Sequence, residues 1–230
     1  MPTSVIGFHN LFSLASRERC MINFKKFRVP FTSTNKVPSG RAAVLIPMCR
    51  VNEHPTLLYT VRSTKLNSHS GQISFPGGKT DEGETPVETA LRETREEIGL
   101  SSSKIDIWGY GPCFPGKDFK VMITPIIAYV PDFTVDDLKI NEKEVAEVLA
   151  VPIYILCDPN NQYHTQFRNG FVLPVFLAEN YKIWGITAYI THVFLTCLLP
   201  RHMYRNEWMK KRITLDEDWE HLKSLICQMK

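Results

Sequence analysis

Three glutamates, Glu93, Glu96 and Glu97, stand at i, i+3 and i+4 in the chain. On a helix, at about 100° per residue, they fall within an arc of about 100°. Like charges at that spacing repel, each pair by roughly a few tenths of a kcal/mol. These three also sit close to a helix C-terminus, where the macrodipole opposes negative charge. Carboxylates are hard oxygen ligands, and a bound Mg²⁺ or Mn²⁺ turns their repulsion into attraction. The competing reading is a solvated polar face, partly neutralised by Arg92 and Arg95. Residues 77–100 hold seven acids and three bases, so the acidity of the chain is concentrated here.

A helix over Thr85–Leu100 is needed to carry this cluster, and its ends are written locally. Thr85 and Glu88 make a capping box, Pro86 takes the first helical position, and Gly99 supplies the C-terminal cap. Val87, Ala90, Leu91, Thr94 and Ile98 form the inward stripe. Strands are predicted at Ala42–Met48, Leu57–Arg62, Ile73–Phe75, Ile105–Tyr110, Val121–Tyr129, Phe171–Leu177 and Lys182–Trp184. Thr187–Leu199 and Leu215–Cys227 read as helices, while Glu144–Val151 fits either state. Strands mixed with a few helices indicate an α/β or α+β sandwich.

The spacing around the cluster carries a family resemblance. Gly78, Glu84, Arg92-Glu93, Glu96-Glu97, Gly99 and Leu100 follow the pattern G-x5-E-x7-R-E-U-x-E-E-x-G-U, with U aliphatic. This resembles the Nudix box, with Thr94 standing where an aliphatic residue is usual. The resemblance implies an α/β fold, an α/β/α sandwich with a mixed sheet and a loop–helix–loop metal site. It also implies a hydrolase of a nucleoside diphosphate linked to another group. Glu93 and Glu97 are the implied metal ligands, and Glu96 a further ligand or the base that activates water. Glu84 would support the site, and Arg92 would orient the glutamates through charge-assisted hydrogen bonds. Gly77 and Gly78 are candidate substrate-binding positions. Outside the box, Glu144 is open to two readings, a distal base or metal ligand and a polar surface residue. For Glu147 the surface reading is preferred.

The segment before the box bears on substrate. Leu58-Tyr59-Thr60-Val61-Arg62-Ser63, Leu66, His69 and Gly71–Gly78 are similar to the additional signature of the coenzyme A diphosphatase branch. Tyr59 takes a usual Leu position there, and Asn67 stands where Arg is common. Asn141–Val148, Leu173–Leu177 and Ile183–Ala188 extend the resemblance, which spans Ala42–Pro200. It implies cleavage of the pyrophosphate of coenzyme A or acyl-CoA to 3′,5′-ADP and 4′-phosphopantetheine or its acyl form. Arg62 is the candidate phosphate contact, since a guanidinium fork matches a phosphate; a surface ion pair is its alternative. His69 reads either as a substrate contact or as a loop histidine bonded to backbone. A Nudix pyrophosphatase for ADP-ribose, NADH or another nucleoside diphosphate derivative is the rival activity. A non-catalytic nucleotide-binding module is the rival class.

Composition narrows the setting. Of 230 residues, 43% are hydrophobic and 22% charged, which excludes a collagen-like or disordered chain. The net charge of +3 divides into +6 over residues 1–41 and −3 over the remainder. That split argues against a nucleic-acid partner bound through a basic patch. The basic segment resembles a mitochondrial presequence, with Val5, Phe8, Phe12 and Ala15 near one helical face. An N-terminal arm lying on the domain is the other reading; cytoplasmic and peroxisomal placements are the alternatives to the mitochondrion. The expected boundaries are a leader over 1–40, a Nudix domain over 41–200 and a helical extension over 201–230. The six separated cysteines read as reduced, mostly buried thiols. Ile183–Leu199 is too short and too polar for a membrane span, and reads as a buried helix. Monomer and homodimer are both compatible with the sequence.

Overall fold

Strand residues alternate between two faces, so one aliphatic strand feeds two separate cores. The computed structural model describes residues 8, 10–30, 38–63, 71–116, 119–167 and 170–214. The chain begins with α1 (Leu14–Lys26), β1 (Gly40–Val51), β2 (His54–Arg62), β3 (Ile73–Ser74), β4 (Gly77–Lys79) and α2 (Pro86–Ile98). Next come β5 (Asp106–Tyr110), β6 (Phe114–Pro115), β7 (Val121–Tyr129), β8 (Val145–Pro152) and α3 (Ile153–Cys157). Then follow β9 (Gln162–Gln166), β10 (Val172–Ala178), β11 (Tyr181–Ile183) and α4 (Gly185–Leu198).

Among the described residues, eight strands form one mixed sheet and three form a second. In the large sheet the path is β3-β2-β1-β7-β5, while β8 also pairs with β2, β4 with β1 and β6 with β7. β1 and β7 run parallel, and the other pairings are antiparallel. On one face Ile46 and Met48 of β1 join Leu57, Tyr59 and Ile127 in the core shared with α1 and α4. On the other, Ala43 and Leu45 pack with Ala90 of α2, and Leu58 meets Ile98. Helices thus cover both faces of a mixed sheet, as expected of an α/β/α sandwich.

The basic N-terminal segment is built into this core. Ser16, Cys20 and Phe24 lie on the buried side of α1, and Phe8, Leu11 and Val29 are buried around it. Asn23 Nδ2 donates to Cys197 O at 2.9 Å, and Arg19 Nη2 donates to Leu198 O at 3.2 Å. These carbonyls end α4, where no intrahelical donor remains for them, so α1 supplies the cap that α4 lacks. Arg17 reaches the other way, pairing with Asp106 at 3.3 Å and donating to Ile107 O at 2.7 Å on β5. The boundary expected at Arg41 therefore cuts through a packed unit. It was missed because four basic residues in α1 (Arg17, Arg19, Lys25 and Lys26) obscure the short apolar stripe beneath them. The boundary at Pro200 moves as well: Tyr204, Trp208 and Ile213 are buried. The helix expected over Leu215–Cys227 lies outside the described residues.

Of the ambiguous segment at residues 144–151, Glu144 lies in a turn and the rest belongs to strand β8. The polar Gln-Tyr-His-Thr-Gln of β9 gave no strand signal, and its partner β10 supplies the apolar side. Tyr59, the departure from the usual Leu, stacks on Phe75 at 4.6 Å. Its hydroxyl lies 3.0 Å from Thr191 Oγ1, which itself donates to Thr187 O at 2.9 Å; the buried phenol is thereby satisfied from α4. Cys20, Cys49 and Cys197 are buried thiols and Cys157 is half-buried, but Cys113 is exposed. No helix among the described residues is long and apolar enough to cross a membrane.

Candidate active site

α2 begins as its sequence dictates. Thr85 Oγ1 accepts from Glu88 N at 3.3 Å, and Glu88 Oε2 accepts from Thr85 N at 2.8 Å, closing the capping box. Gly99 ends the helix at φ 73°, in the left-handed region, and its N–H donates to Arg95 O at 2.9 Å. Ala90, Thr94 and Ile98 are buried as predicted, and Val87 and Leu91 half-buried. Thr94 satisfies its hydroxyl by donating to Ala90 O at 2.6 Å, so a polar residue is accommodated at an aliphatic position. Glu97 joins the buried set, only 3% exposed, which a stripe drawn through apolar residues did not include.

Arg92 organises the carboxylates. Its Nε donates to Glu84 Oε1 at 2.7 Å and its Nη2 to Glu84 Oε2 at 3.0 Å, a two-pronged pairing. Its Nη1 donates to Glu93 Oε1 at 3.0 Å and to Glu96 Oε2 at 3.2 Å. Glu84 is held in turn by Thr89 Oγ1, which donates to it at 2.9 Å, and by Asp81 N at 3.1 Å. The Arg92 guanidinium draws the Glu84 carboxyl down to about 2 and is itself pushed up by Glu84. Thr89, buried between these two, had no signal in the sequence beyond its position.

β4 brings two glycines against α2. Gly77 N donates to Glu97 Oε2 at 3.2 Å. Its φ of 150° and the 2.3 Å that would separate a Cβ from Ala43 O leave room for no side chain. A Cβ on Gly78 would stand 2.4 Å from Glu93 Cδ, so this glycine makes the space that the Glu93 carboxylate fills.

Burial pushes the Glu97 carboxyl up to about 7, with the charges of Glu93 and Glu144 adding to it. The Gly77 N–H and the positive charge of Arg62 act against that rise. Glu93 is also raised, first by burial and then by Glu96 and Glu144, while Arg92 opposes it. Glu144, from the loop before β8, thus lies within electrostatic reach of both box glutamates. Arg62 ends β2, and its Nε is buried with no hydrogen-bond partner among the described residues. Glu147 accepts a hydrogen bond from Tyr181 of the second sheet. His69 lies outside the described residues.

Among the described residues no three of His, Cys, Asp and Glu are drawn together tightly enough to enclose an ion. Arg92 holds Glu93 and Glu96, and Gly77 holds Glu97. The donor chemistry nevertheless fits a hard divalent cation. The charges of Glu93 and Glu144 raise the proton affinity of Glu97, those of Glu96 and Glu144 raise that of Glu93, and a cation removes that conflict. The arrangement is able to bind an anionic substrate through metal and Arg62 while leaving carboxylates free to accept protons.

Comparison with known proteins agrees with this geometry. The NUDIX domain family model matches residues 39–168. Mitochondrial coenzyme A diphosphatase NUDT8 of Homo sapiens is 43% identical over 176 residues, 74% of this chain and 74% of that protein. Nudix hydrolase 3 of Caenorhabditis elegans is 34% identical over 186 residues, covering 74% of this chain and 77% of that one. Uncharacterized Nudix hydrolase NudL of Yersinia enterocolitica is 40% identical over 158 residues, 66% of this chain and 78% of that one. The family model spans more than half of the chain and includes β4, α2 and every box residue they carry: the chain belongs to the Nudix hydrolase family.

Proposed function

We propose that this hydrolase cleaves the pyrophosphate of coenzyme A and acyl-CoA, releasing 3′,5′-ADP and 4′-phosphopantetheine or its acyl form. The observation that carries the reading is Arg62. It belongs to the signature segment before the box, lies within electrostatic reach of Glu97, and has a buried Nε with no hydrogen-bond partner among the described residues. A half-buried guanidinium whose Nε is left unbonded among the described residues suits a phosphate oxygen better than a structural ion pair. The naming of the human relative as a coenzyme A diphosphatase supports the same substrate.

In this reading Glu93 and Glu97 hold Mg²⁺ or Mn²⁺, with Glu144 or Glu96 completing the set. The cation, when bound, neutralises phosphate oxygens and makes a water acidic enough to attack phosphorus near neutral pH. The remaining steps belong to side chains of the chain. Arg92, locked on Glu84, keeps Glu93 and Glu96 at the face of α2. Gly77 donates to Glu97 and Gly78 leaves the room that the Glu93 carboxylate fills, so β4 sets both ligands beside the phosphates. Arg62 takes charge from the phosphates, and Glu96 and Glu144 are the carboxylates available to accept the proton of the attacking water. The P–O bond to the bridging oxygen breaks as the new P–O bond forms.

Product analysis by mass spectrometry tests this on coenzyme A, acyl-CoAs, ADP-ribose and NADH, each with Mg²⁺ and with Mn²⁺. Coenzyme A is expected to be the preferred substrate, giving the two products named above. A preference for a nucleotide lacking pantetheine removes the coenzyme A assignment. A mitochondrial location is part of the proposal, supported by the relatives' names and the basic N-terminal segment. A reporter fused to residues 1–41 that stays in the cytosol counts against it.

A further inference from the structure

We propose that Asn141 is a positioning residue, which sets Glu144 beside Glu97 and Glu93 by folding its loop onto the end of α2. The inference rests on the role given above to Glu144 as a carboxylate available to accept the proton of the attacking water. A helix leaves its last four carbonyls without intrahelical donors. In α2 two of them are taken by the loop between β7 and β8. Lys139 N donates to Ile98 O at 2.8 Å, and Asn141 N donates to Glu97 O at 2.9 Å. The chain then turns back at once: Asn141 O accepts from Glu144 N and from Val145 N, each at 2.9 Å. Glu97 and Glu144 are thus joined by two successive backbone hydrogen bonds that meet at Asn141. Ser63 N, next to Arg62, donates to Glu144 O at 2.9 Å and fixes the far side of the turn. So held, Glu144 lies within electrostatic reach of both Glu93 and Glu97.

The residue type matters at position 141 because its side chain helps to make the turn. Asn141 Oδ1 accepts from Lys143 N at 3.3 Å, two residues on, the bond that favours Asn at the first position of a turn. Glu142 and Lys143 are exposed while Asn141 and Glu144 are half-buried, so only the ends of the turn meet the protein. Alanine at 141 keeps the backbone donor and acceptor but leaves Lys143 N to solvent, loosening the turn without emptying the core. Proton transfer tolerates little displacement of the acceptor, and an error of about 1 Å costs up to about 100-fold.

Steady-state kinetics on Asn141→Ala, Glu144→Gln and the double variant tests this, using the preferred substrate and cation from the product panel. Glu144→Gln is expected to lower kcat about 100-fold. Asn141→Ala is expected to lower kcat about tenfold, with KM changed by less than about twofold. In the Glu144→Gln background Asn141→Ala is expected to cost nothing further, because it acts through that carboxylate. Asn141→Ser, which restores an acceptor, is expected to bring kcat back to within about threefold of the unmodified chain. Tm of both Asn141 variants in EDTA is expected to fall by no more than about 5 °C, so the folded state is assayed throughout. Unchanged kcat in Asn141→Ala overturns the proposal and leaves the role of Glu144 standing. A tenfold loss that persists in the Glu144→Gln background also overturns it, since a general loosening of the fold gives that result. Full activity in Glu144→Gln removes the role on which the proposal rests, and the proposal with it, while the coenzyme A assignment is judged separately by the product panel.

Discussion

Glu93 is held from opposite sides, by Arg92 at 3.0 Å and by the bare backbone of Gly78. Each side makes its own prediction. Gly78→Ala places a methyl where the Glu93 carboxylate lies, so kcat/KM is expected to fall about 100-fold with the circular dichroism spectrum unchanged. Retained activity in that variant would mean that Glu93 works from another rotamer. Glu84→Gln acts through Arg92. It removes one charge-assisted bond from the pair at 2.7 and 3.0 Å and leaves Arg92 less firmly aimed at Glu93 and Glu96. Losing an orienting partner of a metal ligand typically weakens affinity by about 10- to 100-fold, and the Mg²⁺ concentration for half-activation is expected to rise by that order. Glu93→Gln is the direct control: turnover is lost, while Tm without metal holds or rises, since a raised, half-buried carboxylate has been neutralised.

At the scale of elements, α1 does two jobs that only the folded chain displays, filling the core with Phe24 and capping α4 with Asn23. Phe24 is 1% exposed, so Phe24→Ala is expected to cost about 3–5 kcal/mol in denaturant unfolding. Asn23→Ala leaves Cys197 O short of a donor and is expected to cost about 0.5–1.5 kcal/mol. Values near zero for both would show α1 to be dispensable. The contrast with α2 explains what the sequence alone could reveal. α2 is specified by neighbours a few residues apart: a cap at Thr85, a box partner at Glu88, a glycine at its end and glutamates on one face. Its limits and the gathering of its glutamates on one face were therefore legible. α1 is specified by residues 174 and 179 positions away in the chain, through Asn23 and Arg19, and no local pattern announces such a partner. The same limit hid the pairing of Glu147 with Tyr181, 34 residues away.

For the molecule as a whole, half-buried His192 and buried Glu97, on opposite faces of the sheet, set opposing pH limits. His192 of α4 accepts at Nδ1 from Trp208 Nε1 at 3.3 Å and lies 2.8 Å from the Tyr204 hydroxyl. Burial pulls it down to about 4 from an ordinary 6.5. As pH falls below 6.5 the unfolded chain takes up this proton first, so stability drops until about pH 4 and then levels. Glu97 behaves in the reverse sense. Burial raises it to about 7 from 4.5, so the folded chain is the tighter proton binder between those values. Its contribution is complete below pH 4.5 and is lost as pH rises through 7. Without metal, the two effects oppose one another between about pH 4.5 and 6.5, so Tm is expected to form a plateau there and to decline below 4.5 and above 6.5. In the proposed site a divalent cation would take the place of the Glu97 proton and bind only the folded chain, adding about 2.7 kcal/mol at a hundredfold excess over its Kd. Mg²⁺ is accordingly expected to raise Tm more at pH 8 than at pH 5.5, flattening the alkaline side of the profile and leaving the acid side where His192 sets it. Thermal melts across pH 4–9, in EDTA and in Mg²⁺, read this directly. A Tm increment that is the same at both pH values would place the cation away from Glu97.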